Sequence, residues 1–242
     1  MNPIVIIPAR MASSRLPGKP LAEIAGRPMI AHVLHRALAA AIGPVAVACA
    51  EPEIAEAVRA AGGIAVLTDP ALPSGSDRVF AALAVLDPHG EHDVVVNLQG
   101  DFPELPPDHL RAVLRPLDDP ATDVGTLVTP ILDEREAQAS SIVKAACAFA
   151  PGQHVANALY FSRAAIPWGD GPRWHHLGVY AWRRRALSRF VALPPSALEL
   201  RETLEQLRAL QAGMRIGCAR VDFAVAGIDT PADLARARRT MA

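Results

Sequence analysis

Hydrophobic positions in the first half of the chain form short unbroken runs, separated by stretches in which apolar residues recur every third or fourth position. The runs at residues 3–8 (PIVIIP), 45–50, 64–68 and 93–98 (DVVVNL) predict four strands. The stretches at 28–41, 53–61, 76–86 and 108–115 predict the intervening and following helices. Continuous apolar strands alternating with helices imply a parallel sheet covered on both faces, with right-handed crossovers. Beyond residue 125 the alternation loses its regularity. Strands are predicted at 125–129, 143–149, 159–161 and 177–182, a Leu-rich helix at 197–211, a strand at 215–221 and a last helix from Pro231. On the Leu-rich helix, Leu200, Leu204 and Leu207 form a stripe for the core, and Glu202, Glu205 and Gln206 fall on the solvated side. This pattern reads as one α/β domain over 1–242 with an inserted antiparallel lobe at roughly 130–215.

Composition narrows the classes of function. Half of the 242 residues are hydrophobic (51%), enough for a substantial core. The 24 Lys and Arg against 25 Asp and Glu leave a formal charge of −1, which argues against a nucleic-acid module with a broad basic surface. A local cation cluster gripping one small anion remains compatible with that balance. The 22 prolines, about twice the usual frequency, fall mostly between the predicted elements, and 166–173 (IPWGDGPR) reads as an exposed loop. Cys49, Cys147 and Cys218 have no CxxC spacing and fit buried thiols in a reducing compartment. The N-terminus lacks the signal-peptide pattern, and no apolar stretch approaches the roughly 20 residues that span a bilayer. The expectation is a cytoplasmic protein without membrane insertion.

Three stretches carry candidate chemistry. The first predicted strand runs into PARMASSRLPGKP, which holds Arg10, Arg15 and Lys19, the serines Ser13 and Ser14, and Gly18. In open α/β sheets ligands bind beyond the carboxyl ends of strands, and such a loop can wrap phosphates with backbone N–H groups and side-chain cations. It is neither a Walker loop nor a GxGxxG fingerprint, and a solvated basic loop is the competing reading. The fourth strand ends in NLQGDFP, placing Asp101 where a carboxylate can hold Mg²⁺ together with phosphate oxygens; an Asp in a turn before Pro103 fits as well. In GIDTPADL, Asp229 is either a second metal carboxylate or a loop residue beside the helix start at Thr230–Pro231. LPSGSDR (72–78) opens a helix with small polar residues that can seat a base or sugar hydroxyl, or simply cap the helix through Ser76. His175 and His176 lack the neighbours a zinc site needs; a bond to a substrate hydroxyl and an ordinary surface histidine both fit.

The stretches IIPARMASSRLPGKPL, PSGSDR, VVVNLQGDFP, YFSRAAIPW, HHLGVYAWR, LEQLRAL and GIDTPADL, in this order along nearly the whole chain, resemble the 3-deoxy-manno-octulosonate (Kdo) cytidylyltransferases, or CMP-Kdo synthetases. The resemblance implies a Rossmann-like nucleotidyltransferase fold with a dimerisation lobe, a homodimer, and a Mg²⁺-dependent reaction. In it CTP and Kdo give CMP-Kdo, an activated sugar for lipopolysaccharide, and pyrophosphate. It further implies that Arg10 and Lys19 grip the triphosphate and that Asp101 and Asp229 hold Mg²⁺. Ser13, Ser74, Gly75, Arg78 and Gln99 would lie near the substrates, and Arg163, His176, Tyr180, Glu205 and Gln206 would line the Kdo side.

One departure stands out. Where the family carries an ATD-type sequence after the second strand, this chain reads ACAE over 48–51, so Cys49 and Ala50 replace a hydroxyl and a carboxylate. Drift in a non-ligating turn, or altered affinity or sugar choice, would both account for it. The resemblance leaves a related acidic sugar (an amino-substituted Kdo or a nonulosonic acid) and a non-catalytic nucleotide-binding paralogue as competing readings.

Overall fold

Strand β1 (Pro3–Ala9) has Ile4, Val5, Ile6 and Ile7 all buried, as an unbroken apolar run with cover on both faces requires. The computed structural model describes residues 1–13, 15–223 and 227–241. The chain divides into two units, Met1–Leu110 with Val225–Ala242, and Arg111–Ala224.

In the first unit, the short hairpin β2 (Glu23–Ile24) and β3 (Arg27–Pro28) leads into α1 (Met29–Ala40). Then come β4 (Val45–Cys49), α2 (Pro52–Ala60), β5 (Ile64–Leu67), α3 (Gly75–Leu86), β6 (Val94–Leu98) and α4 (Pro107–Ala112), whose last two residues belong to the second unit. Four strands run parallel in the order β5–β4–β1–β6, with Val5 opposite Val45 and Pro3 opposite Val94. Every residue of β4 and β6 is buried, so helices cover both faces, and the expected α/β layer is present within a residue of its predicted bounds except at α4, which ends three residues before the predicted 115.

The C-terminal helix Pro231–Thr240 belongs to this first unit. Its start has the predicted chemistry: Pro231 opens the helix, and the Thr230 hydroxyl accepts from the Asp233 amide at 3.2 Å. In return the Asp233 carboxylate accepts from the amides of Thr230 (3.0 Å) and Asp229 (3.2 Å). Ile228, Leu234 and Ala237 pack with Ile24 and Met29, which docks the helix onto the hairpin and α1. Thr230→Ala is expected to cost about 1 kcal/mol, the usual value of an N-cap, read as a lower urea midpoint with an unchanged slope.

The second unit contains β7 (Val124–Pro130), α5 (Glu134–Gln138), β8 (Lys144–Ala146), β9 (Val155–Asn157), β10 (Tyr160–Ser162) and β11 (Trp174–Arg183). It continues through α6 (Arg184–Val191), α7 (Ala197–Glu202), α8 (Gln206–Gln211) and β12 (Ile216–Arg220). Here β7 pairs antiparallel with β11 and parallel with β12, β12 pairs antiparallel with β9, and β8 lies antiparallel to β10 and β11. The strand expected at 143–149 contracts to Lys144–Ala146, whereas that at 177–182 lengthens to Trp174–Arg183, with a bulge between Leu177 and Tyr180.

The helix expected at 197–211 is two helices. Thr203 adopts the left-handed conformation (φ 54°), and the Leu204 amide turns back to the Glu199 carbonyl at 3.2 Å. The break changes the expected faces at two positions, leaving Leu200 exposed and Gln206 buried, whereas Leu204 and Leu207 reach the core and Glu205 stays exposed as expected. Two tertiary clasps hold this turn. The Arg163 guanidinium donates to the Glu202 carbonyl (2.9 Å) and the Thr203 hydroxyl (3.1 Å), and buried Arg208 forks onto the Glu199 carboxylate. Among the described residues no helix is long and apolar enough to cross a membrane.

Candidate active site

Two acids and the N-terminal loop meet in the first unit. The Lys19 ammonium lies between two carboxylates, 2.8 Å from Asp101 Oδ2 and 3.0 Å from Asp229 Oδ1, and Arg15 reaches the other oxygen of Asp229 at 3.1 Å. The two distant segments are joined here by the backbone as well, since the Ile228 amide donates to the Asp101 carbonyl at 2.9 Å. The docked C-terminal helix therefore places Asp229 against Asp101. Burial alone would lower the Lys19 pKa, but Asp101 and then Asp229 more than offset it, so the ammonium is held above its ordinary value.

Asp101 Oδ1 is buried and has no hydrogen-bond partner among the described residues. An orphaned carboxylate oxygen beside a second acid suits an oxygen-seeking divalent cation. The described residues include no cluster of three or more His, Cys, Asp or Glu able to hold a metal, so such a cation would complete its shell with phosphate oxygens and water.

The loop leaves β1 at Arg10, which is exposed, and Gly18 takes a left-handed turn (φ 70°) into the single-turn helix Lys19–Leu21. Ser13 Oγ accepts from the Leu16 amide at 3.4 Å; Ser14 lies outside the described residues. At the ends of β1 and β6, a Cβ on Gly75 would stand 3.4 Å from the Pro8 ring and 3.7 Å from Gln99 Oε1, so the start of α3 lies close to both. Gln99 Nε2 is steadied by Asn97 Oδ1 at 2.9 Å. Ser74, rather than Ser76, caps α3, accepting from the Asp77 amide at 3.2 Å. Arg78 is buried and donates to Thr68 Oγ1 (2.7 Å) and the Asp69 carbonyl (3.1 Å), so it braces the loop after β5. Cys49 is buried, which pushes its thiol up to about 12 and leaves it inert. Sequence reasoning passed over Glu51, whose carboxylate accepts from the Met11 amide at 3.0 Å.

The other predicted residues lie in the second unit. His176 is buried, edge-on to Phe161, and its Nε2 lies 2.9 Å from Thr126 Oγ1. The Thr126 hydroxyl donates to the Val179 carbonyl at 2.9 Å, so it accepts from His176 Nε2–H and leaves Nδ1 as the acceptor nitrogen. Burial, then His175, lowers the His176 pKa to about 3, keeping it neutral. The Tyr180 hydroxyl, its proton held on by burial, donates to Gln206 Oε1 at 3.2 Å. Gln206 Nε2 is buried without a partner among the described residues. Glu205 stands exposed at the start of α8, whereas Arg163 is committed to the α7–α8 turn and to the Ser140 carbonyl (3.0 Å). Thr126 carried no sequence signal, because its role depends on a bulge in the neighbouring strand.

Comparison with known proteins agrees with this chemistry. A family model described as cytidylyltransferase matches residues 4–216. The 3-deoxy-manno-octulosonate cytidylyltransferase of Rhodospirillum centenum is 61% identical, covering 98% of this chain and 92% of its own. That of Paramagnetospirillum magneticum is 58% identical over 98% of this chain and 97% of its own. The solved structure of a CMP:2-keto-3-deoxy-manno-octonic acid synthetase complexed with CTP superposes with a TM-score of 0.90 at 40% identity, covering 100% of this chain and 98% of that one. The chain belongs to the cytidylyltransferase family, among the 3-deoxy-manno-octulosonate cytidylyltransferases.

Proposed function

We propose that the protein transfers CMP from CTP to Kdo, releasing pyrophosphate, with Mg²⁺ held by Asp101 and Asp229. The observation that carries the metal-assisted reading is the buried Asp101 Oδ1, without a partner among the described residues, beside Asp229 and Lys19. When bound, the cation would neutralise phosphate charge and orient the α-phosphoryl group. The chain's own residues do the rest. Arg10 and Lys19 grip the triphosphate, so that the acidic sugar and the anionic nucleotide can approach each other. The sugar's anomeric oxygen attacks the α-phosphorus in line, and pyrophosphate leaves from the opposite side. Gln206 Nε2, a buried donor lacking a partner among the described residues, suits an oxygen of the acceptor, and neutral His176 and Tyr180 shape the same cluster.

The protein is proposed to work as a cytoplasmic homodimer. Leu132, Leu159 and Trp168 are strongly exposed apolar side chains of the second unit, of the kind a partner subunit covers. Pyrophosphate release, measured with each nucleoside triphosphate against Kdo, amino-substituted Kdo and a nonulosonic acid, tests the reaction. Turnover is expected with CTP and Kdo and should stop on chelation of divalent metal. CTP binding without release for any sugar would overturn the assignment.

A further inference from the structure

The register of β1 and β4 ends at Ala9 opposite Cys49, and the Ala50 amide reaches back to the Ala9 carbonyl at 3.0 Å. Two residues beyond the Ala9–Cys49 pair on both segments, a side chain takes over from the ladder: Glu51 Oε2 accepts from the Met11 amide at 3.0 Å. Met11 and Glu51 are 40 positions apart in sequence, and neither lies in a strand or helix. Glu51 immediately precedes Pro52, the first residue of α2, so its backbone is anchored while its side chain reaches across to β1. Its carboxylate also raises the proton affinity of Arg78, which burial and then Arg10 lower. Glu51 thus lies within electrostatic reach of a cation pair that would otherwise repel at the mouth of the loop.

We propose that Glu51 is the positioning residue of the phosphate-binding loop: by clamping the Met11 amide it sets the direction in which the chain carrying Arg10, Arg15 and Lys19 leaves β1. The clamp acts through the loop, so the proposal rests on the reading that this loop grips the triphosphate of CTP. Within the ACAE stretch, the carboxylate that serves the loop is therefore Glu51, and Ala50 is a buried neighbour that bonds only through its backbone. A neutral acceptor of the same length would preserve the clamp, whereas truncation would release Met11 and let the loop cations drift from their productive positions.

Steady-state pyrophosphate release by Glu51→Ala and Glu51→Gln, with CTP and Kdo varied separately, tests the proposal, with Lys19→Met as a control. Glu51→Ala is expected to raise the KM for CTP about tenfold while changing that for Kdo less than about twofold, the scale of one lost hydrogen bond to a charged group. Glu51→Gln, whose amide oxygen still accepts from Met11, should recover the KM for CTP to within about threefold of the parent. An unchanged KM for CTP in Glu51→Ala overturns the clamp, as does equal impairment of the Gln variant, which would assign the effect to charge alone. Equal rises in both KM values would indicate a general disturbance and overturn it too. If Lys19→Met leaves CTP affinity intact, the loop reading fails and the clamp falls with it; a silent Glu51→Ala beside an impaired Lys19→Met sinks the clamp alone.

Discussion

Asp101→Asn is expected to lower kcat by about 10³-fold, equivalent to about 4 kcal/mol of transition-state stabilisation, with the fold preserved. The substitution keeps the side chain's size, and the bond from the Ile228 amide ends on the Asp101 backbone carbonyl, which the change does not touch. The packing of Ile228, Leu234 and Ala237 against Ile24 and Met29 should therefore survive, and circular dichroism should be unchanged. What disappears is the negative charge on the atom pair of which Oδ2 holds Lys19 and Oδ1 has no partner among the described residues. A neutral amide is a poor ligand for a hard divalent cation. Mn²⁺ titrated in the presence of CTP should accordingly bind far more weakly, a readout independent of turnover. Pyrophosphate release close to the parent rate would eliminate Asp101 as a metal carboxylate.

The second large effect is expected at Lys19. Lys19→Met keeps most of the apolar stem and removes the ammonium that sits 2.8 Å and 3.0 Å from two carboxylates. A fall in kcat/KM for CTP of about 10²-fold or more is expected, because the cation proposed to grip the triphosphate is lost from a partly desolvated position. The carboxylates respond in the opposite sense. With the ammonium gone, among the described residues Asp101 keeps no ion-pair partner and Asp229 keeps Arg15 alone, so mutual repulsion rises. A divalent cation relieves that repulsion, so Mn²⁺ should bind the nucleotide-free variant more tightly than the parent. Loss of turnover with weaker Mn²⁺ binding would contradict the geometry in which Lys19 and the cation compete for the same two acids.

The two predictions share a cause that could be read only in part from the chain. The strands of the first unit were legible because each is a continuous apolar run, and burial on both faces of a parallel sheet demands that pattern. The start of the last helix was legible because Thr230 and Pro231 have local, stereochemical reasons to cap and open it. The loop after β1 was recognisable as a cation-rich segment at a strand's carboxyl edge, which is where open sheets bind ligands. For Asp101 a turn residue and a metal carboxylate, and for Asp229 a loop residue and a second metal carboxylate, were both left open by spacing, and the family resemblance joined the two acids.

In the second unit local pattern failed where tertiary hydrogen bonds replaced local ones. The periodicity of 197–211 supports one continuous helix, yet Arg163 draws off the Glu202 carbonyl and Arg208 folds back onto Glu199. Those distant partners make the left-handed residue at Thr203 affordable, and they rotate Gln206 from the solvated face into the interior. The clamp from Glu51 to Met11 is of the same kind.

The sequence by itself determined the parallel α/β layer, the cationic loop and the chemical type of its acids, since these depend on residue identity and local periodicity. Only the tertiary structure decided that Lys19 stands between Asp101 and Asp229, that Gln206 is buried, and that Glu51 accepts from the Met11 amide. Each of these depends on contacts between segments far apart in the chain, and the local pattern of residues does not encode which partner a side chain will meet.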